Sequence, residues 1–159
     1  MRKPVETTTR SGDETEALAS RLARAVPELA DAAAIVYLDG ELGSGKTTFA
    51  RGVLRALGVR GTVRSPTYTL LERYATSRLV AVHLDLYRLR DPSELEQLGV
   101  RELHRPKHLW LIEWPQRGTG RLPEPDLSVE LEAGPDHHRV RLVPRSPRGA
   151  LWLDRMQGS

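Results

Sequence analysis

The chain has 159 residues, 39% of them hydrophobic and 28% charged, with a net charge of +3. This length fits one domain, and the composition argues against a disordered chain or a membrane span, which needs roughly 18 consecutive apolar residues. The absence of cysteine excludes disulfides and thiolate metal sites and is compatible with a reducing cytoplasm. The first residues have two basic side chains but no apolar segment behind them, so we expect no secretory signal.

We therefore expect a single cytoplasmic domain over residues 1–157, with no membrane partner. Residues 158–159, Gly-Ser, are expected to form a disordered tail, and we assign them no function. The basic residues are mostly arginines spread along the chain, which favours anionic partners only weakly.

The first half of the chain predicts a helix, a strand and a second helix. Residues 13–26 have apolar residues at helical spacing, after a Ser11-x-x-Glu14 pattern typical of a capping box. Residues 32–39, AAAIVYLD, form a short apolar run, as expected for a strand buried on both faces. Residues 46–57 again have helical spacing.

The second half predicts further strands around one short helix. The runs RLVAVHLDLY and HLWLIEW predict interior strands that end at Asp85 and Glu113. Between them, DPSELEQLG predicts a helix that is capped by Asp91 and ends at Gly99. The segments LSVELE and RVRLV alternate apolar and polar residues, which predicts an antiparallel extension. The resulting fold is an α/β sandwich with a mainly parallel centre and antiparallel edges.

The stretch DGELGSGKTTFARG contains the pattern Gly40-x-x-x-x-Gly45-Lys46-Thr47. Glycines let the backbone N–H groups curl around phosphate oxygens, and the start of the following helix adds its positive end. In such a loop the lysine reaches the β- and γ-phosphates, and the Thr47 hydroxyl ligates Mg²⁺. Because a predicted strand precedes the loop and a predicted helix follows it, the pattern predicts a phosphate-binding site.

Other side chains are candidates for the same site. A phosphate-binding loop needs a carboxylate at the end of a neighbouring strand, and both Asp85 and Glu113 qualify. Thr67, in VRSPTYTLLERY, either senses the γ-phosphate or follows a simple Ser-Pro turn. Trp114 either stacks on a base or fills the core, and we expect His83 to be structural.

Four segments taken together, GELGSGKTTFARG, SPTYTLLERY, HLDLYRL and EWPQRGTGRLPEPD, closely resemble the bacterial TsaE (YjeE) family. The resemblance extends from about residue 35 to 130. It implies a P-loop NTPase-like three-layer sandwich and a cytoplasmic ATPase of tRNA threonylcarbamoyladenosine biosynthesis that uses ATP and Mg²⁺. In that family TsaD, with TsaB, modifies adenosine 37 of tRNA, and the ATPase supports repeated turnover. Contact with tRNA is then indirect, through the TsaB–TsaD complex.

The resemblance also implies roles for particular residues. The phosphates are held by Gly43, Ser44, Gly45, Lys46, Thr47 and Thr48. Mg²⁺ is ligated by Thr47 and Glu113, and Asp85 is the second acid, needed for hydrolysis. Thr67 belongs to a switch-like loop beside the γ-phosphate, and Trp114 matches a tryptophan near the nucleotide. The terminal segments that the family uses around the adenine align only loosely, so no base contacts are predicted.

Three other functions remain open. A small-molecule P-loop kinase shares the loop and the size, with LYRLRDPSE as a lid. It is distinguished from an ATPase by phosphate transfer to an added acceptor. A GTP-driven switch requires an N-K-x-D segment, which the sequence lacks. A tRNA-binding protein with an unused phosphate loop predicts that Lys46→Ala leaves activity unchanged.

Overall fold

A computed structural model describes residues 2–158 and contains one seven-stranded sheet. The strands are β1 (Val5–Thr9), β2 (Ala34–Asp39), β3 (Leu71–Ala75), β4 (Val80–Asp85), β5 (His108–Glu113), β6 (Leu127–Ala133) and β7 (His138–Pro144). The helices are α1 (Gly12–Arg24), α2 (Lys46–Ala56), α3 (Glu94–Gln97) and α4 (Pro147–Gln157), with 3-10 helices at Val100–Leu103 and Pro115–Gly118.

The strand order is β1-β7-β6-β2-β5-β4-β3. The four central strands β6, β2, β5 and β4 are parallel, whereas β1 and β7 at one edge and β3 at the other pair antiparallel. This arrangement confirms the predicted sandwich, because β2, β4 and β5 are apolar runs buried on both faces. Strands β6 and β7 pair antiparallel as predicted, but β6 also pairs parallel with β2 and therefore belongs to the parallel centre rather than to the antiparallel extension.

Helical layers cover both faces of the sheet, which gives the three-layer P-loop NTPase-like architecture. Helices α1, α2 and α4 pack on one face, where Phe49 and Trp152 are fully buried. The other face is covered by α3 and the first 3-10 helix, around Trp110. Each buried indole has a partner: Trp110 Nε1 donates to the Leu103 carbonyl at 2.9 Å, and Trp152 Nε1 donates to that of Leu22 at 2.8 Å.

The predicted helix caps are present, although the helix lengths differ from those predicted. The Glu14 N–H donates to Ser11 Oγ at 3.1 Å, so α1 begins where the capping box places it. Asp91 likewise accepts from the Ser93 N–H at 2.9 Å, yet regular helix covers only Glu94–Gln97. The helix predicted between the cap Asp91 and the terminating Gly99 is therefore one short turn, and a 3-10 helix follows because Gly99 turns the backbone at φ 72°.

The sequence patterns did not predict β1 or α4. The sequence of β1 is mostly polar, and β1 forms by pairing with β7. Helix α4 begins after Ser146, whose Oγ accepts from the Gly149 N–H, and its capping residue Gly158 donates an N–H to the Asp154 carbonyl at 3.0 Å. Ser159, the other residue of the predicted tail, lies outside the described residues. No helix within residues 2–158 is long and apolar enough to cross a membrane.

The parallel strands bring the predicted site residues to one edge of the sheet. In the pairing of β4 with β5, Asp85 lies directly beside Glu113, the last residue of its strand. Strand β2 is the other neighbour of β5, and residues 40–45 connect β2 to α2. The carboxyl ends of these strands therefore surround the start of α2, the position at which open α/β sheets bind ligands.

Candidate nucleotide-binding site

The loop between β2 and α2 requires its glycines. A Cβ at Gly40 would collide with the Ser44 side chain and lie 2.6 Å from the Leu131 carbonyl oxygen. Gly45 has a φ of 102°, a conformation that side-chain-bearing residues rarely adopt. The Phe49 N–H donates to the Gly45 carbonyl at 2.9 Å, so regular helix starts at once and leaves its first N–H groups directed at the loop.

Lys46 is buried at the start of α2 and is held by the loop itself. Its Nζ donates to the carbonyls of Gly40 at 2.5 Å and Glu41 at 2.9 Å, and lies 4.2 Å from the centroid of the Trp114 indole. Burial lowers the pKa of Lys46, and Glu113 is the strongest of the nearby acids that oppose this shift. The Lys46 ammonium is therefore partly dehydrated. Among residues 2–158 its hydrogen-bond partners are two carbonyls, and it forms no ion pair with a carboxylate.

Glu113, buried with 2% exposure, joins two elements at the site. Thr47 Oγ1 donates to its Oε1 at 2.9 Å, and His83 Nε2 lies 2.7 Å from its Oε2. Because a carboxylate only accepts, the hydrogen of this second bond is on His83 Nε2. One hydroxyl and one imidazole therefore fix the orientation of the carboxylate.

Asp85 connects the end of β4 to the segment of residues 63–70. The Tyr87 N–H donates to Asp85 Oδ1 at 3.0 Å, and the Ser65 hydroxyl donates to Oδ2. The backbone N–H of Asp85 also donates to the Leu70 carbonyl at 3.0 Å. Asp85 therefore anchors both ends of the segment that contains Thr67.

One cavity of about 340 Å³ brings the predicted residues together. Its wall includes Gly43, Gly45, Lys46, Thr47, Thr48, Thr67, Asp85, Glu113 and Trp114. Of the predicted site residues only Ser44 is not part of this wall, since its side chain is buried with 1% exposure. The Ser44 hydroxyl has no hydrogen-bond partner within residues 2–158.

The oxygen ligands at this cavity suit Mg²⁺. This ion is typically bound by one or two carboxylates together with substrate phosphates and water. Thr47 Oγ1 and Glu113 Oε1 are 2.9 Å apart on the cavity wall, which is the kind of ligand set that P-loop sites use. Within the described residues no group of three or more His, Cys, Asp and Glu side chains forms a metal site by itself.

Sequence reasoning missed several residues of the cavity wall. Tyr87 and Arg88 follow Asp85 on the turn after β4, in the motif HLDLYRL. The rings of Tyr87 and Trp114 are 5.1 Å apart, and the half-buried Trp114 lies at the cavity wall while also packing against the core around Trp110. The Arg88 guanidinium lies 4.6 Å from the ring centroid of Tyr68. Tyr87 and Arg88 follow closely after Asp85, the acid at the end of β4, and this position was the sequence signal that could have placed them at the site.

A second cavity, of about 280 Å³, lies on the other side of the loop and shares two wall residues, Gly45 and Thr48, with the first. The rest of its wall comes from the start of α1 and from the turn between β6 and β7: Arg10, Ser11, Gly12, Thr15, Gly134, Pro135, Asp136, His137 and His138. The start of α2 therefore contributes to the walls of two neighbouring cavities.

A glycine-rich loop that connects a buried parallel strand to a helix, with acids at the ends of adjacent strands, defines a protein of the P-loop NTPase-like class. A family model described as "Threonylcarbamoyl adenosine biosynthesis protein TsaE" matches residues 9–141. The chain therefore belongs to the TsaE family.

Individual relatives agree with this assignment. The chain is 44% identical over 117 residues to the tRNA threonylcarbamoyladenosine biosynthesis protein TsaE of Haemophilus influenzae, covering 74% of each chain. It is 35% identical over 127 residues to the TsaE protein of Bacillus subtilis, covering 80% of this chain and 77% of the relative. The crystal structure of Bacillus subtilis YdiB superposes with a TM-score of 0.81 at 26% identity, covering 99% of this chain and 97% of that one.

Proposed function

We propose that this chain is the ATP-binding and ATP-hydrolysing component of the machinery that makes threonylcarbamoyladenosine at position 37 of tRNA. In this role it supports turnover of the TsaB–TsaD complex in the cytoplasm and meets tRNA indirectly, through that complex. The observation that carries the proposal is the Thr47–Glu113 contact of 2.9 Å, which lies in one cavity with Lys46 and Asp85. These are the residue types that bind and hydrolyse a nucleoside triphosphate.

The chain's own residues have distinct roles in this proposal. The loop amides and the start of α2 bind the phosphates, and the Lys46 ammonium exchanges its two carbonyl partners for β- and γ-phosphate oxygens. Mg²⁺, when bound, neutralises charge on those oxygens, and Thr47 and Glu113 are the residues that would hold it. Thr67 contacts the γ-phosphate from the segment that Asp85 anchors.

Asp85 is proposed to orient the attacking water. Its two carboxylate oxygens are engaged by the Tyr87 N–H and by the Ser65 hydroxyl. Each carboxylate oxygen can accept a second hydrogen bond, so Asp85 can accept from the attacking water while Ser65 and Tyr87 hold its orientation. Because Ser65 and Leu70 both contact Asp85, the position of residues 63–70 is coupled to the proposed water-orienting carboxylate.

The second cavity is the proposed site of the base and ribose. It shares Gly45 and Thr48 with the phosphate cavity, so a nucleotide can extend from one into the other around the start of α2. Its wall offers the His138 imidazole and several hydroxyls as hydrogen-bonding groups for an adenine. Trp114 lies in the wall of the phosphate cavity, where its ring contacts the Lys46 ammonium. It is proposed to contact the nucleotide at its phosphate end.

The test is ATP hydrolysis by the purified chain, alone and with the TsaB–TsaD pair from the same source. Weak activity that increases with the pair and is lost in Lys46→Ala would support the proposal. Lys3→Ala is the matched control, because Lys3 is exposed and is not part of either cavity wall. ATP binding with no response to the pair would contradict the proposed partners. Phosphate transfer to an added nucleoside or metabolite would instead identify a kinase.

A further inference from the structure

Arg88 differs from Lys46, the other cation in the wall of the phosphate cavity. It is the only arginine in the wall of the phosphate cavity, where it lies with Lys46 and Asp85. Within the described residues its guanidinium has no ion pair and no hydrogen bond, and its one aromatic contact is the ring of Tyr68, 4.6 Å from the guanidinium carbon. Lys46, by contrast, donates to two carbonyls.

A guanidinium with no anionic partner beside a phosphate cavity has a clear chemical use. It has five N–H donors in a planar arrangement that matches phosphate oxygens, and it stays charged at all physiological pH values. Hydrolysis is accelerated by positive charges placed beside the equatorial oxygens of the γ-phosphoryl group, which are negatively charged in the transition state. Lys46 is only one such charge, and Arg88 is the second cation of the wall.

The contact with Tyr68 explains where Arg88 is held before reaction. Tyr68 is 83% exposed, and it lies on the segment whose ends are anchored to Asp85 through Ser65 and Leu70. An exposed cation–π contact is weaker than a charge-assisted hydrogen bond to a phosphate oxygen. Arg88 can therefore leave the Tyr68 ring when a phosphate is present.

We propose that Arg88 is a catalytic residue that moves from the Tyr68 ring onto the γ-phosphoryl oxygens during ATP hydrolysis. The inference rests on the proposed function. In the step concerned, the oxygen of water bonds to the γ-phosphorus while the bond from that phosphorus to the β–γ bridging oxygen breaks. The products are ADP and inorganic phosphate, and the proton lost by the water goes to phosphate or solvent. Arg88 binds the equatorial oxygens and exchanges no atoms.

The test compares Arg88→Ala and Arg88→Lys with Arg90→Ala. Arg90 is a matched control because it is also exposed, lies two residues further on, and is not part of the cavity wall. Arg88→Ala is expected to lower kcat by about 10³-fold, the lower end of the effects known for arginines that stabilise this transition state. Its affinity for ATP and ADP is expected to stay unchanged, Arg88→Lys to be intermediate, and Arg90→Ala to behave as wild type.

A second readout does not depend on turnover. Calorimetric binding of ADP with aluminium fluoride, which mimics the transferred phosphoryl group, is expected to weaken in Arg88→Ala, whereas binding of ADP alone does not. Tyr68→Ala removes only the resting partner and is expected to keep the aluminium fluoride affinity. A loss of that affinity in Tyr68→Ala equal to the loss in Arg88→Ala would overturn the proposed movement.

The outcomes also separate this inference from the proposed function. Normal kcat in Arg88→Ala, in a wild type that hydrolyses ATP, would overturn the role of Arg88 and leave the ATPase assignment intact. Weaker ATP binding with an unchanged kcat would likewise overturn it, because uniform binding rather than transition-state binding would be missing. A wild type that never hydrolyses ATP, with or without its partners, would overturn both.

Discussion

His83 Nε2 lies 2.7 Å from Glu113 Oε2, and both side chains are buried at the ends of neighbouring parallel strands. The other oxygen of Glu113 accepts from Thr47, so His83 determines which way the carboxylate faces. Sequence reasoning predicted only a structural role for His83, and this contact connects the residue to the proposed Mg²⁺ ligand.

His83→Phe is expected to leave Glu113 buried with one donor fewer and to lower the free energy of unfolding by about 1–3 kcal/mol. The Mg²⁺ concentration for half-maximal ATP hydrolysis should rise about 10-fold or more, since partners of metal ligands have effects of this size. Affinity for ADP in EDTA, measured by calorimetry, should stay the same. His83→Gln, which retains an N–H donor, is the control and should keep the wild-type Mg²⁺ dependence. An unshifted Mg²⁺ dependence in His83→Phe would contradict this role.

Asp85→Ala is expected to lower ATP hydrolysis by about 10²- to 10⁴-fold while nucleotide affinity is retained, because the water-orienting carboxylate is removed. Ser65→Ala distinguishes this role from simple anchoring of residues 63–70, since it removes only the hydroxyl that contacts Asp85. If Ser65→Ala loses as much activity as Asp85→Ala, the carboxylate acts by anchoring that segment. Steady-state release of phosphate is the measurement.

Asp126→Ala is expected to lower the free energy of unfolding by about 3 kcal/mol, measured by urea denaturation. Asp126 is buried and accepts from the Ile35 N–H at 2.9 Å, from Ser146 at 2.7 Å and from Arg148 at 3.0 Å. Ser146→Ala is the control and should cost about 1 kcal/mol, the usual value of a helix cap. Equal losses in the two variants would show that the cap alone connects α4 to the sheet.

Gly52→Ala tests the packing of α1 on α2. A Cβ at Gly52 would lie 2.8 Å from Ala19 Cβ and 2.8 Å from the Glu16 backbone, so the two helices must separate. We expect the free energy of unfolding to fall by about 1–3 kcal/mol, the usual cost of overpacking, although replacing glycine by alanine normally stabilises a helix interior. Gly12→Ala, whose Cβ would meet only Thr48 Cγ2 at 3.8 Å, is the control. Equal melting temperatures of Gly52→Ala and Gly12→Ala in thermal unfolding would contradict the close packing of α1 on α2 at Gly52.

The lowered pKa of Lys46 predicts a pH dependence of stability. In the folded state burial favours the neutral amine, whereas the unfolded chain has the ordinary value of 10.5. The folded state therefore binds fewer protons between the lowered pKa and 10.5, and stability relative to Lys46→Met should rise as the pH increases through that window. Urea denaturation of both proteins at neutral and alkaline pH measures this, and a difference that is independent of pH would contradict it.

The phosphate loop and the strand-end acids were predictable because their signals are local. Gly40 and Gly45 are required by backbone conformation and close packing within a few residues, and Lys46 follows in the same turn. The runs before Asp85 and Glu113 are apolar because both faces of a central parallel strand are buried. Strand β1 gave no such signal, since it is mostly polar and forms by pairing with β7. Helix α4 does have local signals, the Ser146 cap and Pro147 at its first position, which sequence reasoning overlooked, and its attachment to the sheet depends on the distant Asp126.

By itself, the sequence therefore determined the class of fold, the phosphate loop and the residue types at the site, since all of these depend on spacing along the chain. Only the tertiary structure decided which side chains are partners. The pairing of β4 with β5 brings Asp85 beside Glu113, and it also places His83 within reach of that glutamate. Arg88 meets Tyr68 because the segment before β3 folds back onto the end of β4. Contacts of this kind depend on strand register and loop path, which no local pattern specifies.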